Sequence, residues 1–231
     1  MSQMDLEYER GSPFISKKLM VKGGITMLLV KQINSSLMQL LAVLVISYIV
    51  YRLSPEKSRL RFSQWIGLVK TKIRWGYCCV IGFSYFIVGF LIAYYLYSSH
   101  LVQNTSVMGR SYQATGFSIE TILIILIWAI VQTSLTEEIL FRACLRKLSA
   151  RFLGKRGGNI LQALLFAALH LLILSSYDLL PMLMIFAMTF SIAYALGWLV
   201  SSNSKESIME TWLIHAVTNI LSQGLILAFL I

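Results

Sequence analysis

Six stretches of this chain, 32–51, 77–98, 121–136, 159–177, 179–204 and 211–231, contain no Asp, Glu, Lys or Arg. Spanning the hydrocarbon core of a bilayer as a helix takes about 20 apolar residues. In lipid the backbone must satisfy its own hydrogen bonds, which leaves helices and closed barrels as the spanning forms. Stretches of this length select the helix. The composition agrees, with 57% hydrophobic and only 13% charged residues. The expected fold is all-α: a polytopic membrane helix bundle of about six transmembrane helices. The 121–136 run reaches full length if 117–120 and the glutamates after it join the same helix. A partial segment at 23–30, between Lys22 and Lys31, is too short to span alone and reads as interfacial or re-entrant. The expected organisation is an N-terminal tail over 1–34, then a bundle over 35–231 with its chemical core at 117–231. The polar N-terminus lacks the pattern of a cleavable signal peptide.

The net charge of +10 does not point to nucleic acid, because the cations alternate with the spans. Lys57, Arg59, Arg61, Lys70, Lys72 and Arg74 lie in one connection, and Arg146, Lys147, Arg151, Lys155 and Arg156 in another. The connections near 99–116 and 175–178 hold only Arg110 between them. This is the positive-inside pattern of a multi-pass cell-membrane protein, with anionic headgroups as partners of the basic loops. Parity places 203–207 on the cytosolic side too, and the N-terminus outside. Cys78, Cys79 and Cys144 have no metal or redox spacing and read as packing residues. Tyr51, Trp75, Tyr97, Trp198 and Trp212 at span edges read as an interfacial aromatic belt.

Ionisable groups inside a span are costly and are functional candidates by default. "SLTEEILFRACLRK" at 134–147 places Glu137 and Glu138 side by side at the end of an apolar helix. Glu138 and Arg142, four apart, share a face and pair. Glu137 points about 100° away and stays free. His170 lies roughly 18 Å beyond Gly158. His215 and Asn219 share a face, at depths of roughly 12 and 18 Å if "SIME" caps that helix through Ser207 and Glu210. Glu120 reads as a solvated helix end. One acid, two imidazoles and an amide are thus expected to converge on a pocket near the cytosolic side. A carboxylate shielded from bulk water makes a competent general base on water. A histidine can hold the same water, and a histidine with an asparagine can donate to the oxyanion of a tetrahedral intermediate.

"EEILFR", "FAALH" and "HAVTN", in this order, resemble the EExxxR, FxxxH and HxxxN motifs of the CAAX prenyl protease and bacteriocin-processing family, also known as abortive-infection proteins. These are intramembrane endopeptidases related to the Ras-converting enzyme. The resemblance covers about residues 120–225. It implies hydrolysis of a peptide bond near the cytosolic face, with Glu137 as general base, His170 on the water, His215 and Asn219 at the oxyanion, and Glu138 with Arg142 as a supporting pair. The implied substrates are peptides or lipidated proteins: prenylated C-termini, peptide pheromone precursors or bacteriocin leaders. No cofactor is expected, and the alternative within the family is a zinc ion held by Glu137, His170 and His215. The family core commonly has eight helices, against six or seven here. Two other classes are a non-catalytic bacteriocin immunity protein and a small proton-coupled transporter. The transporter class predicts internal repeats or broken helices, which the sequence lacks.

Overall fold

The computed structural model describes residues 13–99, 116–173 and 178–230, and every long element among them is a helix. The first, α1, is Pro13–Arg52. The 23–30 stretch is part of this one helix, continuous with the first span, whose membrane-length portion is Met27–Arg52. Residues 1–12 and the connections 100–115 and 174–177 lie outside the described residues. Helix α2 is Trp75–Ser98. A helical run of 54 residues then extends over Ile119–Leu172. As a straight rod it would reach about 80 Å, far beyond one bilayer core. It breaks at Gly154, where φ is +70 and ψ is 172, a conformation open essentially to glycine alone. The chain folds back there. A Cβ at Gly158 would sit 2.6 Å from the Ala150 nitrogen and 2.8 Å from the Arg146 carbonyl, so the two arms approach backbone to backbone. We number the arms α3 (119–153) and α4 (155–173). Helices α5, Leu179–Ser201, and α6, Met209–Leu230, complete the bundle. Among the described residues, five helical runs are long and apolar enough to cross a membrane, and the Gly154 break makes six arms of them. The protein is a multi-pass membrane protein.

Packing is that of a bundle solvated by lipid. Large apolar side chains such as Phe83, Leu91, Leu172 and Leu183 point outward, while the interior mixes apolar side chains such as Ile139, Leu196 and Leu199 with small and polar ones. This is the arrangement expected where hydrocarbon surrounds the helices and association rests on close packing and interhelical hydrogen bonds. Asn159 and Gln162 of α4 donate to the carbonyls of Tyr194 and Ala193 on α5, at 3.0 and 2.9 Å. Cys78 and Cys144 are buried in two separate apolar clusters, and Cys79 is exposed on α2. Side chains in increasing order along α1 meet side chains in increasing order along α3: Gln32 with Gln132, then Gln39 with Thr136. The two helices are therefore parallel, as a first and a third span must be.

The basic connections are more than a headgroup-facing fringe. The segment between α1 and α2 docks on the turn between α5 and α6. Trp65 and Ile66 are buried among Ile139, Ala143, Cys144, Val200 and Ile208. Gly67, at φ +77, passes so close to that turn that a Cβ would lie 2.8 Å from the Glu206 carbonyl. Arg74 grips Glu210 at 2.6 Å, Arg146 and Lys147 meet Glu206 at 3.2 and 3.5 Å, and Arg151 meets Glu56 at 2.8 Å. Lys57, Arg59, Arg61, Lys70 and Lys72 remain exposed and available to anionic headgroups.

Glu206 holds a left-handed backbone, φ 47, which costs a side-chain-bearing residue roughly 1–2 kcal/mol. Its two cationic partners offset that strain. Burial pushes the Glu206 carboxyl up, but Arg146 and Lys147 outweigh burial and hold it below the usual carboxylate range. A carboxyl held low when folded stabilises the protein above its unfolded pKa and loses that contribution as pH falls through the folded value. Glu206→Gln is expected to cost about 1–3 kcal/mol at neutral pH, with the deficit shrinking as pH falls below about 4.3. Thermal melts of both proteins at pH 7 and pH 3.5 check this; a gap that stays constant refutes it.

Candidate active site

The acids sit where helix α3 departs from regular winding. After Ile119–Ile127, the chain adopts the wider π-type turn over Trp128–Leu135 and again over Glu138–Leu145. Thr136 and Glu137 fall at the junction. Wide turns of this kind are rare and occur mostly at functional sites. The residues before the acids, "QTSLT", are polar within an apolar helix. Thr133 donates back to the carbonyls of Trp128 and Ala129 at 3.0 and 3.2 Å, and Thr136 to those of Gln132 and Thr133. Such bonds compete with regular helical bonding and bend or widen a turn.

His215 lies between the two acids. Its Nδ1 is 3.1 Å from Glu138 Oε1, and its Nε2 is 3.7 Å from Glu137 Oε2. The shorter contact is a hydrogen bond, and with an ionised Glu138 it requires Nδ1 to carry the proton. That orients Nε2 toward Glu137. The longer contact exceeds a hydrogen bond, so the two groups face one small volume without closing on each other. Glu137 Oε2 is buried without a hydrogen-bond partner, although the side chain as a whole is 22% exposed. The acid is shielded yet reachable.

Glu138 and Arg142 pair as the spacing predicts, at 3.4 Å, both with no exposed side-chain surface. The pair has two further neighbours. Glu138 also holds His215, and the Arg142 guanidinium lies over the Phe166 ring, 4.4 Å from its centroid. Phe166 joins the parts: its ring centroid is 4.4 Å from that of His170 and 6.4 Å from that of His215. His170 is half-buried, and its Nδ1 meets the Phe166 carbonyl at 2.9 Å. Donation from Nδ1 there leaves Nε2 as the free nitrogen. Asn219 donates to Thr133 Oγ1 at 2.9 Å and lies 3.4 Å from Ser134 Oγ.

The structure thus brings Glu137, Glu138, Arg142 and His215 together, sets Asn219 one turn along the same α3–α6 seam, and places His170 beyond a shared phenylalanine. Among the described residues, no three His, Cys, Asp or Glu side chains converge closely enough to hold a metal ion. Glu137, His170 and His215 are not gathered as a three-donor group in this arrangement.

Three features escape the sequence reading. Thr133, Ser134 and Phe166 are structural members of the site; the polar run before the acids and the phenylalanine opening "FAALH" were the available signals. The Ser207–Glu210 capping box is only half present. Ser207 accepts from the Met209 nitrogen at 3.3 Å, but Glu210 is turned away to receive the Arg74 backbone at 2.7 Å and its guanidinium. Trp212 is not purely interfacial, since its indole donates to the Ile130 carbonyl of α3 at 2.8 Å.

Residues 119–221 match the family model described as type II CAAX prenyl endopeptidase Rce1-like. The match runs from the start of α3 into α6 and contains all three motifs; α1 and α2 lie outside it. No curated protein and no solved structure matches the chain significantly.

Proposed function

We propose that this chain, with its Rce1-like segment at 119–221, is an intramembrane endopeptidase that hydrolyses a peptide bond by carboxylate-activated water, with Glu137 as the general base. The observation that carries the reading is His215 held between two carboxylates, by Glu138 on Nδ1 and facing Glu137 from Nε2. Glu137 and His215 address the same point, which is what sharing a water and a substrate carbonyl between them requires. Glu137 takes a proton from water as the oxygen attacks the scissile carbonyl. The oxyanion receives hydrogen bonds from the Nε2–H of His215, which enters the cycle as an imidazolium with its second proton taken from bulk solvent, and from Asn219, whose Nδ2 turns to it from its long 3.4 Å contact with Ser134 Oγ. Glu138, ionised against Arg142, stabilises the imidazolium. The C–N bond then breaks, and the proton held by Glu137 passes to the leaving amine. His170, with Nε2 free, is placed to hold substrate or water on the Phe166 side. The substrate class supported by the family match is a peptide or lipidated protein presented from the membrane.

The test is cleavage of a farnesylated C-terminal peptide, and of the same peptide without the lipid, by the protein in lipid vesicles, read by mass spectrometry. We expect internal cleavage, no hydroxamate when hydroxylamine is present, and no loss of rate with chelator. Hydroxamate formation would indicate an acyl-enzyme and overturn the direct-water mechanism. A rate lost to chelator and restored by zinc would make Glu137 a ligand. Tight peptide binding without any cleavage would favour a binding-only immunity role.

A further inference from the structure

A second polar cluster lies between α1 and α3, on the face of α3 next to the one that meets His215. Gln32, Ser35, Ser36 and Gln39 recur at helical spacing along one face of the membrane-length part of α1. All four meet α3. Gln32 Nε2 donates to Gln132 Oε1 and, at 3.1 Å, to Ser36 Oγ. Ser36 Oγ lies 2.8 Å from the Gln32 carbonyl and 3.3 Å from Gln132 Oε1. Gln132 Nε2 donates to Ser35 Oγ at 3.1 Å, and Gln39 Nε2 to Thr136 Oγ1 at 3.4 Å. Ser36 and Thr136 are buried, at 2% and 1% exposure.

The contacted residues bracket the chemistry. Gln132 and Thr136 alternate along α3 with Thr133, which holds Asn219, and Glu137, which faces His215. The α1 face and the α6 face therefore grip adjoining faces of one wide-turned segment, roughly 100° apart. That segment is wound wider than a regular α-helix. Its carbonyls are taken by the hydroxyls of Thr133 and Thr136 and by the Trp212 indole. A slip of one residue would rotate Glu137 by roughly 100° away from His215.

Building on the proposed function, we infer that the α1 stripe of Gln32, Ser35, Ser36 and Gln39 is a brace that sets the rotation of the Trp128–Glu138 segment, making Gln32 and Gln132 positioning residues for Glu137. The brace comes from a helix outside the family-matched segment. Its loss acts on the geometry of attack and leaves substrate binding largely intact, so it lowers kcat more than it changes KM.

The experiment uses the full chain in vesicles, with Gln32→Leu, Gln132→Leu, the double variant, Ser36→Ala and Ser36→Thr. Misplacement near 1 Å can cost about 100-fold, so kcat is expected to fall about 10- to 100-fold in each Gln→Leu variant, with KM within about twofold. The double variant should be little worse than Gln132→Leu alone, because that change already removes the Gln32–Gln132 bond and both serine contacts of Gln132. Ser36→Thr, which keeps the hydroxyl, should retain more activity than Ser36→Ala. Amide exchange by mass spectrometry should rise in peptides covering 128–138 and not elsewhere. Unchanged kcat in Gln32→Leu, with an active parent, overturns the brace. So does a rise in exchange across all helices, which marks the cluster as general glue. A parent protein that cleaves nothing removes the proposed function instead, and the local exchange change then decides the brace alone.

Discussion

Glu137→Gln is expected to yield a protein that inserts, folds and melts like the parent but cleaves about 10²–10⁴ times more slowly. Glutamine is nearly isosteric with glutamate and cannot accept the water proton. The fold should survive because Glu137 Oε2 has no hydrogen-bond partner to lose and its contact with His215 is 3.7 Å. Rates per folded molecule, taken after size-exclusion in detergent, make the comparison. Glu138→Gln is the control with opposite logic. It keeps the base, yet loses the anion that orients His215 and pairs Arg142, so a smaller loss of rate and a larger loss of stability are expected. Full activity in Glu137→Gln would sink the assignment of the base.

Arg142→Ala is expected to be the most damaging single change to stability. It leaves Glu138, with no exposed surface, without its cation, and it strips the Phe166 ring of the guanidinium stacked on it at 4.4 Å. Removing one partner of a buried pair typically costs about 3–5 kcal/mol. Glu138→Gln combined with Arg142→Gln removes both charges and should be milder than Arg142→Ala alone. The residual Glu138–His215 contact moderates the Arg142→Ala effect only to the extent that a protonated imidazole can replace the guanidinium. Melting in detergent for parent, single and double variants gives the answer. A double variant less stable than Arg142→Ala would show that the two charges do not compensate each other.

The fold class could be read from the chain because hydrocarbon imposes simple demands. About 20 apolar residues must cross as a helix, and basic loops must alternate with them. The Glu138–Arg142 pair was equally legible, since i, i+4 spacing puts both groups on one face whatever surrounds the helix. Glu137, His215 and Asn219 stood out because polar atoms in a span demand partners.

The identity of those partners was decided only by the tertiary structure. Nothing local says that His215 sits between both acids, that Asn219 is held by Thr133, or that Phe166 separates His170 from the rest. The expected capping box failed for the same reason. Glu210 has a local partner in the Ser207 backbone, but Arg74, 136 residues away in sequence, offers a charged fork that a local N–H cannot match. The helix winding before Glu137 has a tertiary part too: beside the local hydroxyls of Thr133 and Thr136, the Trp212 indole of α6 bonds the Ile130 carbonyl. By itself the sequence determined which groups had to be buried and on which helices they ride, because those follow from transfer free energy and helical geometry. Which buried groups meet depends on how six helices rotate and pack against each other, and only the assembled bundle settles that.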